Sequence, residues 1–473
     1  MRDGEMPGAV NPASFRDPGG FVFRGGDGIL YRQINTGAAD DYRRLMDSGL
    51  YADLTGAGLL IEHDEAPLTT RRSEAGEIVI RPRELPFISY PYEWSFAQLK
   101  EAALLTLRVQ ERALHFNMCL KDASAYNIAF KGTRPVFIDT LSFEPYAEGA
   151  PWVAYRQFCQ HFLAPLALAA YREPRMSNLL QVHLDGIPLE LASQLLPRRT
   201  WLRFGLLMHI HLLASMQRRE ARRQKQRTPL DTSALQKRSV TKTALRGMLD
   251  SLRGTVEHLM YRRRVTEWSD YYANNSYSDE GVECKKRLTS AYLERTKPRV
   301  VWDLGANTGQ YSRIAARMGA YTVAFDMDWR CVEINFQESR TTQLDNVLPL
   351  CMDLTNPSPA IGWAHRERSS LQDRGPADTI LALALVHHIA IGNNVPLGRI
   401  AEYFAKLCRH LVIEFVPKDD VQTQRLLESR EDIFTGYTRE RFEAEFGVFF
   451  RILEANAIAG SDRVLYLMES VAN

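Results

Sequence analysis

Between residues 303 and 414 the chain carries acids, glycines and histidines whose order could do chemistry on a nucleoside-bearing ligand. The run Asp303-Leu304-Gly305-Ala306-Asn307-Thr308-Gly309 has the spacing Asp-x-Gly-x-Asn-x-Gly. Gly305 and Gly309 permit dihedrals and a backbone approach that a side chain forbids, so such a turn can close on a ligand. Asp303 opens the turn and is placed to face a cationic end. Asp326 stands 17 residues beyond Gly309, where a carboxylate can accept hydrogen bonds from ribose hydroxyls. Asp328 is the second candidate for that role. Asp353-Leu354, His387-His388 and Glu414 follow in order. A histidine suits proton transfer because its ordinary pKa lies near neutrality. Glu414 could orient it or bind substrate.

Such residues need elements that bring them together, and the hydrophobic pattern supplies them. Val300-Val301-Trp302 is a buried-strand run ending at Asp303, Gln310–Met318 reads as helix, and Thr322–Phe325 is a second strand ending at Asp326. Asn346–Cys351 is a third strand run, ahead of Asp353. Ile380–Val386 is nearly all apolar, the pattern of a strand buried on both faces, and it delivers His387-His388. His410–Val416 is a fifth strand. Phe449–Asn456 and Arg463–Met468, separated by Ala459-Gly460-Ser461-Asp462, predict an antiparallel hairpin. Alternation of strand and helix predicts an α/β unit around a parallel sheet.

The turn and the landmarks after it resemble class I S-adenosylmethionine-dependent methyltransferases, in the variant with Asn at the middle glycine. The resemblance implies a doubly wound, seven-stranded Rossmann-like domain with S-adenosyl-L-methionine as cofactor. It places Asp303, Gly305, Asn307 and Gly309 along the methionine and ribose, Asp326 or Asp328 on the ribose, and Asp353 with Leu354 at the adenine. It also brings the strand end at His387-His388 to both cofactor and acceptor. His387 is thereby the first catalytic candidate, with His388 beside it and Glu414 behind. The implied acceptor is an oxygen or nitrogen of a saccharide or other small molecule. The Pro-Pro-Tyr/Trp signature of amino-methylating nucleic-acid enzymes is missing, so nucleic acid is not the expected partner. Upstream, the cluster Trp268–Tyr272 with Tyr277 is placed to lid such a site or to pack between domains.

A second set lies near the front. Asp122 is followed by Asn127 and, after Val136-Phe137-Ile138, by Asp139. Ahead of it come a Gly25-Gly26-Asp27-Gly28 hairpin signal between Phe21–Arg24 and Ile29–Ile34, helical Asp40–Ser48, apolar runs at Gly58–Glu62 and Glu77–Arg81, a hinge-like Glu84–Phe87, and helix Ser95–Met118. This order resembles the catalytic loop and metal site of protein and aminoglycoside kinases. The resemblance implies an α+β, protein-kinase-like N-terminal domain in which Asp122 orients an acceptor hydroxyl while Asn127 and Asp139 hold Mg²⁺ of Mg-ATP. The chain departs from the pattern: Lys121 precedes Asp122, Thr140 follows Asp139, and Arg32 on the second strand is the one base near the place of the kinase lysine. Taken together, the two halves are similar to a family of bacterial proteins that includes a nodulation-locus methyltransferase-like protein of rhizobia.

Composition frames these readings. At 473 residues, 45% hydrophobic and 25% charged, the chain can build two or three cores. A formal net charge of +2 excludes a protein that binds nucleic acid by overall charge. Six scattered cysteines make no CxxC pair, which fits a reducing cytoplasm. The longest apolar runs, Phe162–Tyr171 and Phe204–Met216, are too short to span a bilayer. The expected division is a kinase-like domain at 1–215, a basic linker or surface helix at 216–265, and a methyltransferase domain at 266–473. The basic stretch, with Arg218, Arg219, Arg222, Arg223, Lys225 and Arg227, reads as a solvated face, with a phosphate-rich partner or an anionic membrane surface as the other reading.

Overall fold

The computed structural model describes residues 10–225, 240–261, 278–428 and 431–471. The expected lid cluster at 268–277 and Arg227 lie outside them. The chain begins with a four-stranded antiparallel sheet of order β1-β2-β4-β3: β1 Gly20–Arg24, β2 Leu30–Asn35, β3 His63–Ala66 and β4 Gly76–Pro82. Between β2 and β3 runs α1 (Thr36–Asp47), whose Ala38, Tyr42 and Leu45 are buried. The apolar run at Gly58–Glu62 is not a strand. It makes a single bridge, Leu60 to Phe137, and the strand that pairs with β4 begins at His63.

Helix α2 (Phe96–His115) follows, started by a capping box between Ser95 and Gln98. Four short strands come next: β5 Met118–Leu120, β6 Ile128–Lys131, β7 Arg134–Phe137 and β8 Phe143–Pro145. β5 pairs with β8 and β6 with β7, so the loops carrying Asp122, Asn127 and Asp139 are held side by side. Residues 155–225 form short helices, as their leucines predict, joined through 3₁₀ and π turns. Within the expected linker, α3 (Lys242–His258) buries Leu245, Leu249, Leu252 and Val256, and contacts α2. It is an amphipathic helix with one apolar face inward.

The C-terminal part starts with α4 (Asp279–Thr296) and builds one seven-stranded sheet. Its elements are β9 Val300–Leu304, α5 Gln310–Arg317, β10 Tyr321–Asp326, α6 Trp329–Thr341, β11 Val347–Cys351, β12 Ala377–Ala382, α7 Leu397–Leu407, β13 Cys408–Phe415, α8 Arg439–Gly447, β14 Phe450–Ala457 and β15 Val464–Ser470. The order is β11-β10-β9-β12-β13-β15-β14. The first five are parallel, and β15 runs antiparallel to both β13 and β14. Strand order reverses between β9 and β12, where an α/β sheet opens a crevice beyond its strand ends. The fold is therefore mixed α/β, with a Rossmann-like sheet closed by the expected hairpin.

The front and back halves share one hydrophobic core, which runs from Leu45 and Trp94 through Trp302 and Phe325 to Met468. No described helix is long and apolar enough to cross a membrane.

Candidate functional site

The C-terminal ends of β9 to β12 surround a cavity of about 300 Å³. Its wall includes Asp303, Gly305, Asn307 and Asp326 from the glycine-rich turn and the strand after it, and Asp353 and Leu354, which the methyltransferase resemblance nominates. The turn after β9 is tied to the end of β10, because the N–H groups of Gly305 and Ala306 both donate to Phe325 O at 2.9 Å. Gly305 and Asn307 take φ of 73° and 51°, the left-handed region that Gly and Asn tolerate best. Asn307 N–H then donates to Asp326 Oδ2 at 2.7 Å, while Asp328 N–H donates to Asp326 Oδ1 at 2.8 Å. Each Asp326 oxygen has one backbone donor and capacity for another. Burial pushes both Asp303 and Asp326 up to about 6, although Ser312 Oγ–H donates to Asp303 Oδ2 at 2.6 Å.

Gly309 and Asp328 serve the frame around this wall. Gly309 precedes α5 with φ 83°, and a Cβ there would come 2.1 Å from Asn335 Oδ1. Glycine is needed for helix packing at that point. Asp328 caps α6, its Oδ1 accepting from Arg330 N–H at 2.8 Å. Asp353 holds the following turn, accepting from Thr355 N–H and Oγ1–H at 2.8 and 2.7 Å.

The histidines separate. β12 ends at Ala382, four residues before the expected end at Val386, because Ala384 turns with φ 50° and gives its N–H to Glu414 Oε2 at 2.9 Å. Leu383 and Val386 are buried in that turn, so their apolar pattern mimics a longer strand. His388 lines the cavity. Burial, with Arg463 nearby, pushes it down to about 4. His387 lies behind it, 1% exposed, with ring centroids 4.1 Å apart. Neither His387 ring nitrogen has a hydrogen-bond partner among the described residues. Burial, then His388, holds its pKa far below the ordinary range.

Glu414 is fully buried under the turn. Besides Ala384 N–H it takes Lys285 Nζ at 2.7 Å and Arg463 Nη1 at 3.3 Å, and Arg463 reaches on to Asp420 through Nε at 2.8 Å and Nη2 at 2.9 Å. Lys285, from α4, also lines the cavity, with Nζ 5.0 Å from the Tyr311 ring centre. Burial lowers its pKa against the pull of Glu414. Sequence reasoning missed Lys285. Its signal was the inward side of α4, shared with Cys284, Thr289 and Tyr292. Met327 and Met352, each beside an expected acid, also line the wall.

At the front, Asp122 Oδ1 accepts from Ser124 N–H at 2.9 Å and Gln157 Nε2 at 2.8 Å, and burial raises its pKa. Asn127 Nδ2 donates to Ser142 Oγ at 3.1 Å, and Ser142 Oγ–H to Asp139 Oδ2 at 2.6 Å. Arg32 Nη1 meets Asp139 Oδ1 at 2.6 Å, and its Nη2 meets Asp17 Oδ2 at 2.7 Å. Both Asp139 oxygens are engaged, and a guanidinium supplies the neighbouring positive charge. The residues in this arrangement do not fit Mg²⁺.

The nodulation protein NoeA of Rhizobium meliloti (strain 1021) is 37% identical over 467 residues, covering 98% of this chain and 96% of NoeA. This chain belongs to the NoeA family. No family model matches it. Among solved structures, WbdD is 14% identical over 42% of each chain, with a TM-score of 0.30. Magnesium protoporphyrin IX methyltransferase (ChlM) of Synechocystis PCC 6803 is 16% identical over 43% of this chain and 92% of its own, with a TM-score of 0.31. N-methyltransferase NodS of Bradyrhizobium japonicum WM9 is 12% identical over 41% and 98%, also at 0.31. Likenesses this faint carry no argument about activity, which for this NoeA relative rests on its own site.

Proposed function

We propose that this chain is a methyltransferase using S-adenosyl-L-methionine and an oxygen or nitrogen of a small-molecule or saccharide acceptor. The observation that carries the reading is the convergence of Asp326, the Gly305–Asn307 turn and Asp353-Leu354 on one cavity at the strand ends. The residues fit that cofactor. Asp326 has acceptor capacity for ribose hydroxyls, Asp303 offers a buried acid to the cationic end, and Met327, Met352 and Leu354 give apolar surface to a base. S-adenosylmethionine supplies a methyl group on a sulfonium, already activated for displacement. The chain then has to align an acceptor and take its proton. His388 serves as that base: it faces the cavity, and with its pKa pushed down to about 4 it is neutral and able to accept at pH 7. His387 and Glu414, which do not line the cavity, act as positioning residues.

Calorimetry tests the reading. Wild-type protein binds S-adenosylmethionine and S-adenosylhomocysteine, Asp326→Ala loses both, and Asp139→Ala keeps both; no binding of either by the wild type refutes it. A methyl-label assay against extracts of the native host identifies the acceptor. A second reading concerns the front half. The β5–β8 and β6–β7 pairs around Asp122, Asn127 and Asp139 support a kinase-like fold that binds a nucleotide or partner, and the Arg32–Asp139 pair argues against a bifunctional phosphotransferase. Mg-ATP binding that disappears in Asp139→Ala would reinstate phosphotransfer.

A further inference from the structure

From Leu191 to Arg219 the chain has no Asp or Glu, but five arginines: Arg198, Arg199, Arg203, Arg218 and Arg219. In the middle of this stretch the usual inward direction of apolar groups fails. Leu202 is 88% exposed, Phe204 71%, and Trp201 and Met208 41% each. Single exposed apolar residues are ordinary, but four within eight positions form a patch. Arg198, Arg199 and Arg203, all exposed, are interleaved with it.

The segment is held with these groups outward. It forms a 3₁₀ turn, Arg198–Leu202, leading into helix Phe204–Leu206 and the π turn Leu207–Leu212. Thr200, between the exposed residues, is fully buried, and its Oγ1 lies 2.9 Å from His211 Nε2. His211 Nδ1 meets Ser193 Oγ at 2.8 Å, and the Trp201 ring stacks on the imidazole with centroids 4.3 Å apart. The apolar groups therefore sit on a braced platform, with Phe204 and Met208 about one helical turn apart.

We propose that the Arg198–Met208 segment docks this protein on an anionic lipid surface. Trp201, Leu202, Phe204 and Met208 enter the boundary between headgroups and acyl chains, while Arg198, Arg199 and Arg203 meet lipid phosphates. Charge complementarity selects this partner. An apolar segment interleaved with arginines, in a stretch without acids, suits an interface where acyl chains lie beneath negative phosphates. The protein lies on the bilayer, and no segment spans it.

Vesicle sedimentation with the full chain tests it. The wild type co-sediments with vesicles of phosphatidylcholine and phosphatidylglycerol, less so at high salt, and weakly with pure phosphatidylcholine. Arg198→Gln, Arg199→Gln and Arg203→Gln together lower the partition on the order of a hundredfold, about fivefold for each charge. Leu202→Ser with Phe204→Ser abolishes it as well, with circular dichroism and melting unchanged, and Trp201 fluorescence shifts to the blue only in proteins that bind. Partition of both variants equal to that of the wild type overturns the proposal. So does binding of duplex DNA that falls with the arginine variant but not with Leu202→Ser/Phe204→Ser. A dimer in sedimentation velocity that the apolar variant dissociates would assign the patch to a second copy and overturn it too.

Discussion

Replacing Glu414 by glutamine separates a structural acid from a catalytic one. The carboxylate is fully buried and ion-paired to Lys285 at 2.7 Å and Arg463 at 3.3 Å. Glutamine can still accept from Ala384 N–H, so the left-handed turn keeps its anchor, but the negative charge is gone. Arg463 retains Asp420, whereas Lys285 loses its 2.7 Å counter-charge and stays buried. Breaking one member of a buried pair costs about 3–5 kcal/mol. The retained hydrogen bond favours the low end, about 3 kcal/mol, which for a domain of this size is roughly 6–12 °C in melting temperature.

The assay is thermal melting of wild type and Glu414→Gln, with and without S-adenosylhomocysteine, alongside the pH profile of methyl transfer. The expected result is a lower melting point and weaker cofactor binding, since Lys285 lines the cavity, with the shape of the pH profile unchanged. A variant that melts like the wild type but has lost its rate would refute the reasoning and make Glu414 a proton acceptor. Lys285→Met combined with Glu414→Gln should recover part of the lost stability, because the buried cation is removed along with the carboxylate that faces it.

Gly309→Ala should cost roughly 2 kcal/mol or more, read by chemical denaturation, since alanine at φ 83° is strained and its Cβ would strike Asn335. Cofactor binding should depend on pH through Asp303 and Asp326. Both have folded pKa values raised to about 6 by burial, so they add to apo stability below the usual carboxylate range, and that contribution fades as pH rises through 6. Affinity for S-adenosylmethionine, which uses the ionised acids, should therefore climb between pH 5 and 7 and then level off in calorimetry. Between the halves, Glu93→Gln should destabilise by about 3 kcal/mol by stranding buried Arg374, while Glu93→Met with Arg374→Met should be milder than that single change.

Much of the cavity could be read from sequence because its residues sit at strand ends, where spacing and position in space coincide. Asp303 and Asp326 lie at the ends of parallel strands and Asp353 just beyond one, and parallel strands deliver their ends to one edge. The roles within the cavity were harder to read. Gly309 and Asp328 have the right spacing for a ligand yet serve helix packing and capping, since a glycine or an acid before a helix satisfies both demands equally well. That His388 and not His387 lines the cavity was hidden for a similar reason. The apolar run Leu383–Val386 looks like strand, but a turn at Ala384 rotates the first histidine inward and the second to the cavity. Lys285 was hidden because a lysine on a helix is usually solvated, and only long-range packing against Glu414 places it inside.

The junction of the halves follows the same logic at larger scale. The segment that leads from β4 to α2 has the composition of a hinge, yet it is built into the face of the C-terminal sheet. Phe87 meets Trp302 and Phe325 edge to face, and Glu93 takes both Arg374 Nη1 and Nη2, at 2.9 and 2.6 Å. Ser358 Oγ–H also donates to Glu93, at 2.6 Å, and Ser358 N–H lies 3.2 Å from the sulfur of Met352, which lines the cavity. A buried, doubly bonded carboxylate fixes orientation more than it adds stability, because desolvation offsets most of the ionic attraction. The two halves are thus held in one register, with one residue, Ser358, bonded both to the front segment and to the cavity wall. A front unit that only tethered the sheet would need no such pair: apolar contact from Phe87 would suffice. The pair makes sense if the position of Met352, and with it the shape of the cavity, depends on where the front half sits.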